Sequence, residues 1–260
     1  MSTHRKQKHE VLFGRFLVFL TLFIVLVSGI NACAPGSPPF SPPPVPIYPP
    51  GTDGAVMFGL SAQHTHVVPY EQVLNVSTVK RLVPVWISKR AGTFIASLMA
   101  VNGIVYVGSE DKNLYAYKTT GCGTEKQCQP LWYGSTGGMI DASAAVFSGK
   151  VYISSGDGKV YAYDSNTCKK LRSQSCLPIW FSVPTKYAIT SSPTIANGVL
   201  YIGSLDNRLY TYDIKGCLSQ KSPCTSLWHS QDLGSGCVAN GMVYAATAEG
   251  HVYAFGLNHA

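Results

Sequence analysis

The sequence predicts an all-β protein, a β-propeller of about four four-stranded antiparallel blades, and three observations carry that reading. One motif is written four times: "NGIVYVGSEDKNLYAYKTTGC", "SGKVYISSGDGKVYAYDSNTC", "NGVLYIGSLDNRLYTYDIKGC" and "NGMVYAATAEGHVYAFGLNHA". The copies centre on Tyr106, Tyr152, Tyr201 and Tyr244, at intervals of 46, 49 and 43 residues. A tryptophan keeps the same beat, with Trp86, Trp132, Trp180 and Trp228 at intervals of 46, 48 and 48. The strands are also apolar on both faces: in "VLYIG", Val199 and Tyr201 point one way and Leu200 and Ile202 the other. A sheet with one wet face alternates apolar and polar residues. These strands must be covered on both sides, which blades stacked around an axis achieve.

Each unit reads as four short strands in order. The innermost is rich in small residues, as in "TSSPTI" (Thr190 to Ile195). An Asn-Gly or Ser-Gly pair follows and supplies the positive φ of a tight hairpin. The VYVG-type strand, a polar turn and the LYAY-type strand come next, then a cysteine-bearing loop and an outer strand ending on the tryptophan. The best short helical candidate is "STVKRL" (Ser77 to Leu82).

Ahead of the repeats lie two segments of different character. Residues 1–33 read as a signal peptide. Arg5, Lys6, Lys8 and Arg15 precede the apolar core "FLVFLTLFIVLV" (Phe16 to Val27), which suits an export signal. "SGINAC" then places Ala32 before Cys33, resembling a bacterial lipobox whose cysteine is diacylated; Asn31 departs from the small residue usual there. An uncleaved signal anchor is the other reading, since no charge intervenes between Arg15 and Asp53. Either way the remainder is extracytoplasmic and membrane-anchored in the cell envelope. Residues 34–53, containing "APGSPPFSPPPVPIYPP", form a proline-rich linker, either an extended rod or a disordered tether. The propeller is assigned to residues 54–260.

Composition narrows the function classes. Only 13% of the 260 residues are charged, against a usual quarter or so. The net charge of +7 is partly the leader's, and the rest is scattered, so no nucleic-acid stripe is present. Six cysteines fall in pairs at one place in successive repeats: Cys122/Cys128, Cys168/Cys176 and Cys217/Cys224. Outside the cytoplasm such pairs are expected to be disulfides, each contributing roughly 2–3 kcal/mol in the chain-entropy model. Zinc would want CxxC-like spacing or nearby histidines. Cys33 is assigned to lipid, and Cys237, aligned with Thr194, to a buried free thiol.

The blade core "VYxG…LYAYD" followed by a tryptophan strand resembles the PQQ-like repeat of quinoprotein-type propellers. "FGLSAQHTHVVPYE" (Phe58 to Glu71) resembles the lead-in such chains carry before the first blade. The resemblance spans about Phe58 to Ala260 and implies the fold. It leaves function open, because one fold hosts unrelated activities. The family includes quinone-dependent dehydrogenases and also cofactor-free propellers, among them the lipoprotein of the outer-membrane barrel-assembly machinery. The dehydrogenases resemble one another in a vicinal Cys-Cys disulfide, a calcium site and a catalytic Asp. No two cysteines are adjacent here.

Asp111, Asp157 and Asp206 recur at equivalent turns, and Asp164 and Asp213 follow equivalent strands, which is how capping residues behave. His64 and His66 share one strand face and lack a third ligand in the sequence, so packing competes with metal binding. No catalytic or metal residues are assigned, and Trp86, Trp132, Trp180 and Trp228 are assigned to blade packing. The expectation is a binding or scaffold module with a protein or carbohydrate partner and no cofactor of its own. The alternative is a PQQ-dependent dehydrogenase or a fragment of one.

Family members usually have seven or eight blades, and four are legible here. The blades form a closed ring or a partial propeller: the Trp86 strand pairs with "HVYAF" (His251 to Phe255) to shut a four-bladed ring, the repeats form an open arc or belong to a truncated product, or two chains pair to cover the ends. Complementary strand phase at the two termini favours the ring. For the anchor, replacing Cys33 with Ser is expected to release the protein from the detergent phase. A variant that stays membrane-bound with its signal attached marks an uncleaved anchor instead.

Overall fold

The computed structural model describes residues 56–58, 73–89, 91–124, 127–219, 223–231, 236–247 and 249–256. The export segment, Cys33, the proline-rich linker, His64 and His66 lie outside them. After a single 3-10 turn at Val79–Arg81 comes a short strand, β1 (Ile87–Ser88). The first blade holds β2 (Met99–Val101), β3 (Ile104–Gly108) and β4 (Asn113–Lys118), then a loop strand β5 (Gln127–Cys128) and the outer strand β6 (Trp132–Ser135). The second repeats this as β7 (Ala145–Phe147), β8 (Lys150–Ser154), β9 (Val160–Asp164), helix α1 (Ser165–Cys168), loop strand β10 (Gln174–Cys176) and outer β11 (Trp180–Phe181). The third contains β12 (Thr194–Ala196), β13 (Val199–Ser204), β14 (Arg208–Asp213), helix α2 (Ile214–Ser219) and outer β15 (Trp228–His229). The fourth has β16 (Gly236–Ala239), β17 (Met242–Ala246) and β18 (Val252–Phe255).

Within every blade neighbours run antiparallel, from inner to outer strand. The hairpins between the two innermost strands turn on the expected pairs. Asn102-Gly103, Ser148-Gly149, Asn197-Gly198 and Asn240-Gly241 all carry positive φ at both residues. That geometry matches the twist of the flanking strands. The two loop helices start at the aspartates that close the third strands. Asp164 accepts the Thr167 N–H at 3.0 Å, and Asp213 accepts the Lys215 N–H at 2.9 Å.

The core lies between blades rather than within one. One cluster joins Tyr106 and Trp132 of the first blade to Ile153 and Tyr163 of the second. The other joins Tyr152 and Trp180 of the second to Leu200 and Tyr212 of the third. Each outer-strand tryptophan faces the third-strand aromatic of the following blade. The centroid distances are 6.0 Å for Trp86–Tyr117, 5.9 Å for Trp132–Tyr163, 6.5 Å for Trp180–Tyr212 and 5.7 Å for Trp228–Phe255. Gly134 makes room for this contact, since a Cβ there would fall 2.4 Å from the Tyr163 ring. Trp132 and Trp180 are 0% and 1% exposed, while Trp228, beside the last blade, is 45% exposed.

A second device links blades at their outer rim. β10 of the second blade runs parallel to β6 of the first, with Gln174 opposite Trp132. Cys224 of the third bridges Ser182 of the second in the same sense. Disulfides Cys122–Cys128, Cys168–Cys176 and Cys217–Cys224 close the three loops that make these links, with Cα separations of 5.4, 5.5 and 5.4 Å.

The four-bladed ring is not formed. β1 runs parallel to β5, with Ile87 opposite Gln127, instead of pairing with β18. The reason is the rim link: Trp86 packs on Tyr117 and donates its indole N–H to the Thr119 carbonyl at 3.0 Å. β1 is thereby fixed as an outer strand leaning on the first blade, at one end of an arc whose other end is β18. Cys237 does sit on the innermost strand of its blade, as its alignment with Thr194 implies, but it is half-buried rather than buried. Among the described residues its blade is covered only by the third blade.

The tryptophan contacts make a graded prediction. Trp132→Ala removes a fully buried ring between two blades and is expected to cost about 3–5 kcal/mol. Trp228→Ala, with its ring already half in water, is expected to cost less than half as much. Urea unfolding of the two variants checks the order.

Candidate functional site: the loop face

The turns between second and third strands all emerge at one end of the blades, because every blade repeats the same strand order. In the first three blades the turn is closed by an aspartate. Asp111, Asp157 and Asp206 accept the backbone N–H two residues on, from Asn113 (3.1 Å), Lys159 (3.2 Å) and Arg208 (3.1 Å). Their other oxygen accepts a phenol O–H from the following strand: Tyr115 at 2.7 Å, Tyr161 at 2.6 Å and Tyr210 at 2.7 Å. The loop leading into each blade is tied to the same turn. Gly92 N–H donates to Asp111 at 3.0 Å and Lys186 N–H to Asp206 at 3.3 Å. In the second blade Gly138 N–H donates to Ser155 Oγ at 3.2 Å and Gly137 N–H to the Tyr161 oxygen at 3.2 Å. These aspartates are turn and loop fasteners in three separate blades.

Electrostatics follow from these bonds. Burial works against ionisation of Asp111, but hydrogen bonds from Tyr115, Gly92, Ser109 and Asn113 outweigh it and hold the carboxyl below its usual range. The phenols go the other way: burial first, then the carboxylate partner, push Tyr115 and Tyr161 well above the ordinary tyrosine value. Tyr212, inside the interblade core, is pushed up to about 12, chiefly by burial.

On this fastened platform sit exposed apolar side chains: Ile95 and Leu98 before the first blade, Met139 before the second, Tyr187 before the third, and Leu205 in the third blade's turn. Backbone bonds hold them beside the turns, with Gly156 N–H to the Met139 carbonyl at 2.8 Å and Leu205 N–H to the Ala188 carbonyl at 2.9 Å. They occur once each, so the repeat does not mark them. Their signal was an apolar residue inside an otherwise polar loop. Near the axis, Val56 exchanges two backbone hydrogen bonds with Val146 (2.7 and 2.6 Å), and Met57 is buried against the third blade. The innermost strand edge of the second blade thus already holds an extended apolar segment.

Residues 73–259 match the family described as outer membrane protein assembly factor BamB. The chain belongs to this family. It is a PQQ-like propeller, consistent with its blades and with two solved structures of similar fold. A quinohemoprotein alcohol dehydrogenase, ADHIIG of Pseudomonas putida HK5, aligns at TM-score 0.59 and 15% identity, over 74% of this chain and 34% of the dehydrogenase. The computationally designed Ika4 protein aligns at 0.51 and 14% identity, over 66% of this chain and 96% of that one. BamB of Moraxella catarrhalis aligns at 0.48 and 16% identity, over 63% of this chain and 47% of that one. The chain therefore spans less than half the length of the dehydrogenase and of that BamB. No curated protein matches the sequence.

Six cysteines are joined within their own rim loops, and the turn aspartates are engaged one per blade. Among the described residues no three His, Cys, Asp or Glu side chains gather at ion-binding distance.

A pH test reads the first fastener. A carboxyl held below its unfolded value stabilises the fold above that unfolded value and loses the contribution as pH falls through the folded one. Stability of the wild type is therefore expected to fall on acidification, and Asp111→Asn to show a shallower fall. Urea midpoints between pH 7 and pH 3 make the comparison.

Proposed function

We propose that this chain is a binding and scaffold module of the cell envelope that holds a protein partner on its loop face. The observation that carries the reading is the apolar set Ile95, Leu98, Met139, Tyr187 and Leu205, presented in water on loops that hydrogen bonds hold rigid. Exposed apolar surface on a fastened platform is what a docking site needs: little ordering entropy is lost and apolar area is gained on contact. The chemistry favours a polypeptide over a carbohydrate, because these side chains are mostly aliphatic and few donors stand among them. The family's description as an assembly factor supports a protein partner in the envelope. In this reading Cys33 carries the lipid, residues 34–53 space the propeller from the membrane, and the module needs no cofactor.

Photo-crosslinking residues placed at Met139, Tyr187 and Leu205 in the full chain, expressed in intact envelopes, test the face. Adducts to one protein are expected from these positions and not from Leu177 or Leu218 near the disulfide loops at the other end. Equal labelling from both ends, or none, contradicts the reading.

A further inference from the structure

Outer strands β6 and β11 are each held on two edges, and β15 on the first of them. One is antiparallel with the third strand of its own blade, where Ala116 faces Trp132, Ala162 faces Trp180 and Thr211 faces Trp228. The other is parallel, with the loop of the following blade. β1 has the second support, from β5, and among the described residues lacks the first. β18 has the reverse defect: it pairs with β17 and carries no strand on its outer edge among the described residues.

The two defects match residue by residue. Trp86-Ile87-Ser88 stands where Trp180-Phe181-Ser182 and Trp228-His229-Ser230 stand in their blades. The hydroxyls of Ser182 and Ser230 accept the backbone N–H of Val160 at 3.0 Å and of Leu209 at 3.1 Å. Val252 occupies the place of Val160 and Leu209 in β18. Trp132 and Trp180 also pack on a tyrosine of their own blade, Tyr106 and Tyr152, at 6.0 Å each. Among the described residues Trp86 packs on the neighbouring blade's Tyr117, while Tyr244 holds the own-blade position in the fourth blade. Exposure confirms what is uncovered: Val252 is 76% exposed where Val160 is 0%. Val83, Val85 and Ile87 are likewise exposed at the opposite end.

We infer that β1 of one copy adds to β18 of a second copy, completing a four-stranded blade across the junction. The register follows the interior blades. Ala254 faces Trp86, Tyr253 faces Ile87, the Val252 N–H donates to Ser88 Oγ, and the Trp86 ring covers Tyr244. The occupant is a second copy because the vacancy calls for a Trp-x-Ser strand, and this chain presents one, open on the required edge, at its other end. A reciprocal pair satisfies both open ends of both chains. An unpaired strand edge is in any case a standing template for another chain.

The test uses the full chain in detergent micelles with Cys237→Ser as background. Ile87→Cys and Tyr253→Cys are prepared separately, mixed and oxidised, since directly opposed residues of an antiparallel pair lie within disulfide reach. A disulfide-linked species of twice the chain mass is expected in the mixture and not in either variant alone. The double variant Ile87→Cys/Tyr253→Cys is expected to give the same species. Linkage closing inside a single chain, or no linkage in the mixture, overturns the inference. Val252→Pro removes an N–H that faces the open edge and leaves the β17–β18 ladder intact, a position where proline is tolerated. Its circular dichroism should match the wild type while association weakens by about tenfold or more, the equivalent of one lost hydrogen bond and a steric block. Unchanged association by sedimentation also overturns the inference.

Discussion

An indole lying against the aromatic ring of the next blade is the contact on which the rest of this structure depends. No blade here has a core of its own, since each is a single twisted sheet. Apolar burial comes from laying one sheet on the next, and the tryptophan that opens the outer strand, rather than ending it as the sequence suggests, sets the distance and angle at which they meet. Tilted and offset ring pairs near 6 Å add specificity beyond the area they bury. Gly134, with no side chain to hold the sheets apart, belongs to the same contact. The buried tyrosines have their phenols pushed up because the interblade space is dry.

Polar groups are used where the apolar contact cannot reach. At one end, a turn aspartate fastens a strand tyrosine in each of three blades, and in the first and third it holds the entering loop as well. At the other, disulfide-closed loops reach across to the previous blade and join it by parallel pairing. The loop end is left with rigid backbone and exposed apolar side chains, a surface suited to docking. Interior and end blades differ for one physical reason: β9 is buried from Val160 to Tyr163, and its counterpart β18 is exposed because, among the described residues, only the third blade packs against it.

Much of this was legible in the sequence because it repeats. Strand number, hairpin turns and cysteine pairs follow from periodic signals that each blade states independently. Asp111, Asp157 and Asp206 were read as turn residues for the same reason, and their bonds to Gly92 and Lys186 extend that reading to the loops. What the repeat concealed was non-periodic. The position of β1 depends on a parallel rim link that no alternation pattern announces, so the Trp86 strand was assigned to the wrong neighbour. The serine two places after the tryptophan also went unnoticed. Ser182 and Ser230 reveal their role only through bonds to a strand about twenty residues earlier. The docking side chains escaped because they occur once each.

Amide hydrogen exchange, followed by mass spectrometry at increasing protein concentration, tests the central claim that each sheet is protected by the sheet laid on it. The account predicts strong, concentration-independent protection in β8, β9 and β13. It predicts weak protection at residues 85–88 and in β18 in dilute solution, rising as copies associate. Uniform protection across all blades, unchanged by dilution, would contradict it.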